Sequence, residues 1–460
     1  MASHRCFAFS LLLASALAGE TPPDRDNHLS EKIEAALKAS GAASVSVAVV
    51  VDGKLAYARA FGMADIQAHR AADPGTRYAV GSISKEFTAA ALLWAQERQK
   101  LSLDDKVSKY FPDLTRSSEI TIRQLLNHTS GYEDFAPQDY IIPDWIKPTT
   151  PAAIMNQWAK KPLNFDPGTR WQYSNTGYVV AGAIFEKATG ETLVGFLREK
   201  AFEPLGMRSA GECTDASAAD AKAYTRYALG PARPVAREAS GWYFAAGELC
   251  MTPSDLAKWD IAFLARKGLT AESFREFTQE ARLANGDGTH YALGLSLGDT
   301  RGIPTISHGG EVSGFLALHV MYPTRNGAVI VLSNQDGIQM NDALARDIAA
   351  MVFMPDRPQP SEKDTKQAQA ILLGLQRGEI DRALFTNNAN SYFQAVALKD
   401  CKESLSRLGE LKAVTAVGQN LRGGMVHQSY RAQFEKKTVA LNIYLMPDGR
   451  YEQFMVMDQP

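Results

Sequence analysis

The 460-residue chain has little cysteine, little net charge and no long apolar run. Four cysteines cannot staple a chain of this length, so the fold must rest on the 45% of residues that are hydrophobic. The 49 Lys and Arg nearly cancel the 51 Asp and Glu, giving a formal charge of −2 with no short basic tract to offset it. Nucleic acid is therefore not expected as a partner. The 8 histidines include no His-Glu-x-x-His and no closely spaced His/Cys set, which argues against a zinc site. The Gly-x-Ser-x-Gly elbow, Gly-x-Gly-x-x-Gly and the P-loop are missing as well. No metal and no cofactor is expected.

The most apolar stretch, Cys6 to Leu17, is too short to span a bilayer. It follows a basic start at His4-Arg5 and ends in Ala16-Leu17-Ala18, the small-x-small pattern of a signal-peptidase site. Residues 1–18 are expected to be a signal peptide and the protein to be exported, periplasmic or secreted. No Cys follows the cleavage point, so no stable membrane anchor is expected there. The mature chain keeps Cys213, Cys250 and Cys401. An oxidising compartment permits a Cys213–Cys250 disulfide; free thiols are the alternative.

Valines and the Asp52-Gly53 turn make Ser44 to Phe61 a hairpin. Ser82 to Lys100 lacks Gly and Pro and repeats apolar residues at helical spacing. Helices then dominate to about Leu205, and a second strand block begins near Thr305. Strands at both ends with helices between imply an α+β fold: a mixed, mostly antiparallel sheet flanked by helices, with a helical subdomain. This unit is expected over residues 28–354. Three prolines within Pro355 to Pro360 open a linker over 355–366, and residues 367–460 read as a small C-terminal α+β accessory domain. Three roles stay open for that domain: covering the active-site mouth, pairing copies into a homo-oligomer, or stabilising its neighbour.

Three short stretches can carry chemistry. In Ser82-Ile83-Ser84-Lys85, at a helix start, the three-residue step puts an alcohol and an amine on one face. Serine needs that help to act as a nucleophile near neutral pH; an N-cap Ser followed by a solvated Lys has the same pattern. Tyr173-Ser174-Asn175 follows the Pro167-Gly168 turn, which aims a phenol and an amide from a loop. His308-Gly309-Gly310-Glu311 places two glycines in a strand, which weakens it unless another group, such as a substrate carbonyl, approaches the backbone. Taken alone, Tyr173 and Asn175 are compatible with satisfying a loop's hydrogen bonds, and a lone histidine such as His308 is more often a satisfied core residue than a catalytic one.

With these three motifs in this order, the chain from about Leu29 to Phe353 resembles the penicillin-binding-protein-like serine hydrolases. That family includes class C β-lactamases, D-alanyl-D-alanine carboxypeptidases, D-aminopeptidases and esterases. Leu125 to Gly131 and Ala246 to Leu256 are similar to it as well. The resemblance implies a β-lactamase/transpeptidase-like fold and an acyl-enzyme on Ser82. It implies Lys85 and Tyr173 as the proton-handling pair, Asn175 as a hydrogen-bond partner of substrate or Lys85, and an oxyanion hole from the backbone N–H groups of Ser82 and Glu311. His308, Gly309 and Gly310 stand where β-lactamases carry Lys-Thr-Gly, so His308 replaces a cation suited to a substrate carboxylate.

The expected substrate is therefore a peptide, a D-amino-acid amide or a small ester. A true class C-like β-lactamase or D-Ala-D-Ala carboxypeptidase is the alternative within enzymes, and a sensor that acylates without turnover the alternative outside them. For Lys85 or Tyr173 to act as a base near pH 7, its pKa must fall by roughly three units, about 4 kcal/mol. Burial lowers a Lys but raises a Tyr.

Overall fold

The computed structural model describes residues 22–213, 220–354 and 359–458. The signal peptide expected over 1–18 lies outside them. The chain divides into two compact units, Met1–Phe353 and Met354–Pro460.

In the first unit a helix α1 (Pro22–Ser40) leads into the hairpin of β1 (Ser44–Val51) and β2 (Lys54–Asp65), followed by the short β3 (Arg70–Ala71). The Asp52-Gly53 turn takes positive φ at both residues. A helical middle supplies α2 (Ser84–Glu97), α3 (Ile122–Leu126), α4 (Asn175–Thr189) and α5 (Pro253–Leu264). The late strands β4 (Ser296–Thr300), β5 (Ile303–Val312), β6 (Phe315–Tyr322) and β7 (Gly327–Ser333) precede α6 (Met340–Phe353).

The seven strands form one sheet in the order β3-β2-β1-β7-β6-β5-β4. Every neighbouring pair in it is antiparallel, so the sheet is not mixed as the sequence suggested. The two ends of the unit meet at its centre, where β1 pairs with β7 from Val45↔Ser333 to Val50↔Ala328. All of β7 and all of β1 except Val51 are buried. Helices α1 and α6 pack on each other and on the sheet, and α5 packs against β1 and β7. With both faces covered, these strands read as continuous apolar runs rather than alternating ones. Helix α2 is the core of the helical layer: Ser84 through Ala95 are all buried, which explains an apolar character on every side.

Cys213 and Cys250 form a disulfide, and Cys401 is free. Among the described residues, no helix is long and apolar enough to cross a membrane.

The second unit has its own core, including Leu372, Leu375, Tyr430, Leu441, Ile443 and Phe454. Helices α7 (Glu362–Arg377) and α8 (Ala395–Ser406) precede an antiparallel meander of β8 (Leu411–Arg422), β9 (Met425–Phe434), β10 (Thr438–Leu445) and β11 (Tyr451–Asp458). Helix α7 begins five residues before the boundary expected at 367. Ser361 and Asp364 form a capping box, each side chain taking the other's backbone N–H.

Candidate active site

Ser82 lies in a 3-10 turn, Gly81–Ile83, that runs into α2. It is thus just outside the α-helix rather than in its first turn. The tight turn keeps positions i and i+3 on one side, so Lys85 Nζ stands 2.9 Å from Ser82 Oγ. Gly81 has φ +51, and a Cβ there would lie 2.8 Å from Glu311 N, so no other residue fits easily.

Lys85 is fully buried. Its amine also donates to Asn175 Oδ1 and to the Ala246 carbonyl, each at 2.7 Å, and sits 4.8 Å from the Tyr173 ring centre. Burial brings its pKa down to about 7, against an opposing pull from Asp134. In the neutral form the two carbonyl oxygens occupy its two N–H groups, and the lone pair is left for the Ser82 hydroxyl. The arrangement can therefore take a proton from Ser82 near neutral pH.

Tyr173 hydrogen-bonds Ser82 through its side chain, yet burial raises its pKa above the ordinary phenol value, with Asp134 adding to the rise. It is a proton donor at neutral pH, in contrast to Lys85. Asn175 starts α4 behind the Ser174 cap, and its amide Nδ2 donates to Asp134 at 3.1 Å. Asp134 also accepts from the Asn175 backbone N–H at 3.0 Å. Asn175 is thus committed to Lys85 on one side and Asp134 on the other.

His308, on β5, is only 4% exposed. Its Nε2 lies 2.8 Å from Tyr291 Oη, and that hydroxyl lies 3.2 Å from His128 Nε2. His128 packs against Tyr173 with the rings tilted and their centres 4.3 Å apart. Burial first, then the Lys85 charge, depresses His308 to about 3, so it is neutral. The glycines that follow differ in role. A Cβ on Gly310 would lie 1.9 Å from the Val80 carbonyl oxygen and 3.2 Å from Ser82 N. The group that needs this close approach is the Ser82 turn of the protein itself, not only a substrate. Gly309 has nothing nearer than 3.9 Å and is open.

Ser82, Tyr173, Asn175, His308, Gly309, Gly310 and Glu311 all line one cleft of about 830 Å³. Lys85 lies beneath it. Asp134, Asp139, Glu238, Glu311 and Asp342 contribute carboxylates to the walls, and Trp145 and Tyr243 contribute aromatic surface. No Lys or Arg is among the lining residues. Burial, then Asp139 and Asp336, pushes Glu311 up to about 7.

Sequence reasoning did not single out Asp134, His128, Tyr291, Glu238 or Tyr243. His128 fell inside a stretch noted for its likeness to the family. In the structure its φ of +62 marks it, since a non-glycine residue there is uncommon. Asp134 follows three residues after that stretch with no local pattern of its own.

A serine hydroxyl beside a buried amine, a phenol and a glycine-bearing strand defines a serine-hydrolase arrangement of the β-lactamase and penicillin-binding-protein fold. The chain belongs to the Beta-lactamase family, whose model matches residues 29–352. Penicillin-binding protein 4* of Bacillus subtilis (strain 168) is 26% identical over 372 residues, covering 74% of this chain and 77% of that one. A D-aminopeptidase of Brucella anthropi is 27% identical over 280 residues, covering 59% of this chain and only 52% of the relative. The octameric penicillin-binding protein homologue from Pyrococcus abyssi superimposes with a TM-score of 0.63 at 22% identity, covering 92% of this chain and 94% of that one. This chain is thus a β-lactamase-related serine hydrolase.

Proposed function

We propose that the enzyme cleaves an amide or ester bond in a D-amino-acid amide, short peptide or small ester, through an acyl-enzyme on Ser82. The observation that carries the mechanism is the 2.9 Å contact between Ser82 Oγ and the buried Lys85 amine, whose pKa lies at about 7. Neutral Lys85 takes the Ser82 proton as Oγ attacks the carbonyl carbon. The backbone N–H groups of Ser82 and Glu311 receive the developing oxyanion, at roughly 3–4 kcal/mol each if they act as such donors generally do. Tyr173, which keeps its proton, donates to the leaving amine or alcohol as the tetrahedral intermediate collapses. Tyr173 is then reprotonated from Lys85, and water attacks the ester of Ser82 by the reverse proton path.

The acidic walls of the cleft support substrates without a carboxylate near the scissile bond. Two like charges 4 Å apart repel by about 1 kcal/mol in water and about 4 kcal/mol at an effective dielectric near 20. A penicillin or a free peptide C-terminus meets that repulsion, whereas a free amine is attracted. The D-aminopeptidase relative points the same way.

Export is part of the proposal, supported by the leader pattern and by the Cys213–Cys250 disulfide, a bond typical of oxidising compartments. So is the division of labour by domain: hydrolase over 28–354, accessory unit beyond the linker. A homo-oligomer involving that unit is supported by the octameric relative, which aligns over nearly the whole chain.

Fluorophosphonate labelling followed by intact-mass measurement tests the reading. One adduct that disappears in Ser82→Ala supports it; labelling that survives the substitution contradicts it. A panel of a D-amino-acid p-nitroanilide, a p-nitrophenyl ester, a D-Ala-D-Ala peptide and a chromogenic cephalosporin then ranks substrates. Turnover of the cephalosporin or of the D-Ala-D-Ala peptide above the other substrates overturns the substrate assignment. A persistent adduct with every member of the panel identifies a sensor instead.

A further inference from the structure

A single hydrogen-bonded chain crosses the aromatic box beside Ser82, and backbone groups of fixed polarity close it at both ends. At one end the Ser174 N–H donates to His128 Nδ1 at 3.1 Å. At the other, His308 Nδ1 lies 2.5 Å from the Gly309 carbonyl oxygen. Between them stands the Tyr291 hydroxyl, within reach of both Nε2 atoms. A backbone N–H can only donate and a carbonyl can only accept. His128 Nδ1 is therefore bare, and its ring proton sits on Nε2, aimed at the Tyr291 oxygen. His308 carries its proton on Nδ1, and its bare Nε2 receives the Tyr291 hydroxyl. The directions agree when the chain is read from either end, and both rings are neutral.

We infer that this relay makes His308 a positioning residue that offers the substrate neither a cation nor an N–H, and that ties the Tyr173-Ser174 loop to the Gly309–Glu311 strand. The inference rests on the proposed roles of Ser82, Tyr173 and Glu311. Both nitrogens of His308 are engaged within the protein, and so are both nitrogens of His128. The two walls that carry the proton donor and the proposed oxyanion strand are thus joined through one phenol.

The groups around His308 oppose a second charge there. Lys85 faces it from α2 and His319 from β6, where His319 is its direct cross-strand partner. Tyr173, His128, Tyr178 and Tyr291 complete the box, and Glu86 and Asp260 sit behind His319. His128 is likewise depressed, by burial and then by Lys85 and His308. Tyr178 contacts the Tyr291 hydroxyl too, but its own proton is given to the Leu126 carbonyl at 2.6 Å. It is a weaker acceptor than a neutral imidazole, so the Tyr291 proton stays on the His308 side.

The test is side-chain NMR of the whole enzyme labelled with 15N-histidine, with signals assigned by His308→Gln and His128→Gln. The expected spectrum shows His308 as the Nδ1–H tautomer and His128 as the Nε2–H tautomer, both neutral at pH 7, with His308 still neutral at about pH 4.5. Tyr291→Phe removes the donor to His308 Nε2, whose 15N signal then moves while the ring stays neutral, because burial and Lys85 still oppose a charge there. In the same variant the pH profile of kcat/KM on a D-amino-acid p-nitroanilide keeps a single acid limb, because His308 stays neutral, while kcat falls by less than about ten-fold. An Nε2–H or cationic His308 in the wild-type protein at pH 7 overturns the inference, as does a Tyr291→Phe protein whose His308 signals do not change. If that variant does not fold, the wild-type spectrum decides alone. The tautomers are read without substrate, so an enzyme that hydrolyses nothing in the panel would defeat the proposed function and leave this inference standing.

Discussion

Two adjacent residues of α2 are both fully buried ionisable groups, and they live in opposite electrostatic worlds. Lys85 faces carbonyl oxygens, a hydroxyl and aromatic rings, so burial dominates and its pKa falls to about 7. Glu86 faces a charge: His319 Nε2 lies 3.4 Å from its carboxylate, and His319 Nδ1 lies 2.8 Å from Asp260. All three side chains are fully buried. Burial alone would lower His319, but Glu86 and Asp260 together raise it well above its ordinary value and hold it as a cation. Burial opposed only by the weaker pull of Asp134 makes a reactive amine; burial between two carboxylates makes a charged His319 that ties α2, α5 and β6 together. The first arrangement weakens the fold in favour of chemistry, and the second anchors the helix that carries it.

The contrast yields substitutions whose effects differ in kind. The largest expected effect is on catalysis. Lys85→Met lowers kcat/KM by about 10³–10⁴-fold, within the range general-base groups supply, measured by steady-state hydrolysis. A loss under about ten-fold means another group takes the Ser82 proton. Next comes stability. His319→Gln leaves Glu86 and Asp260 buried without their cation and is expected to cost about 3–5 kcal/mol, read from urea unfolding. Its folded pKa is raised, so the stability it supplies is fully present below its unfolded value near 6.5 and is lost as pH rises through the folded value. The wild-type advantage over His319→Gln should therefore be largest in mild acid.

Lys85→Met shifts stability the other way. The folded Lys85 pKa of about 7 lies below its ordinary value of 10.5, so its burial penalty is complete below pH 7 and fades as pH climbs toward 10.5. The methionine variant should be more stable than wild type at pH 6 by roughly 1–3 kcal/mol, with the gap closing at high pH. A variant less stable than wild type at pH 6 would show that the Asn175 and Ala246 hydrogen bonds outweigh desolvation. Outside this pair, Cys250→Ser opens a bridge spanning 37 positions and is expected to cost about 2–4 kcal/mol by chain-entropy reasoning. The smallest effect belongs to Asp134→Asn. It keeps the shape around Asn175 and removes the charge that raises Lys85, so the acid limb of the pH–rate profile should move to lower pH.

What could be read from the sequence was local or strongly patterned. Ser82 and Lys85 are three residues apart, and a turn of any helical type brings them together. Valine-rich β1 and β7 announce strands because both faces are buried. Antiparallel pairing throughout the sheet could not be read, because helices intervene between the β1–β3 and β4–β7 blocks and leave the relative direction open. The capping box at Ser361 lay inside a segment whose prolines dominated the reading. Asp134, His128 and Tyr291 were not legible for a deeper reason: each acts through a partner at least 17 positions away, and neither its own neighbours nor its spacing records that contact. Gly310 shows a milder version, since its sequence announced a close approach but not that Val80 and Ser82 make it.

The central claim is that a neutral, buried Lys85 turns Ser82 into a nucleophile. The most direct measurement is the rate of Ser82 acylation by a fluorophosphonate as a function of pH, followed by intact mass. The account predicts a rate that rises with pH through a single ionisation near 7, as Lys85 gives up its proton, and that collapses at every pH in Lys85→Met. A rate independent of pH between about 5 and 9, or one that survives in Lys85→Met, would contradict it.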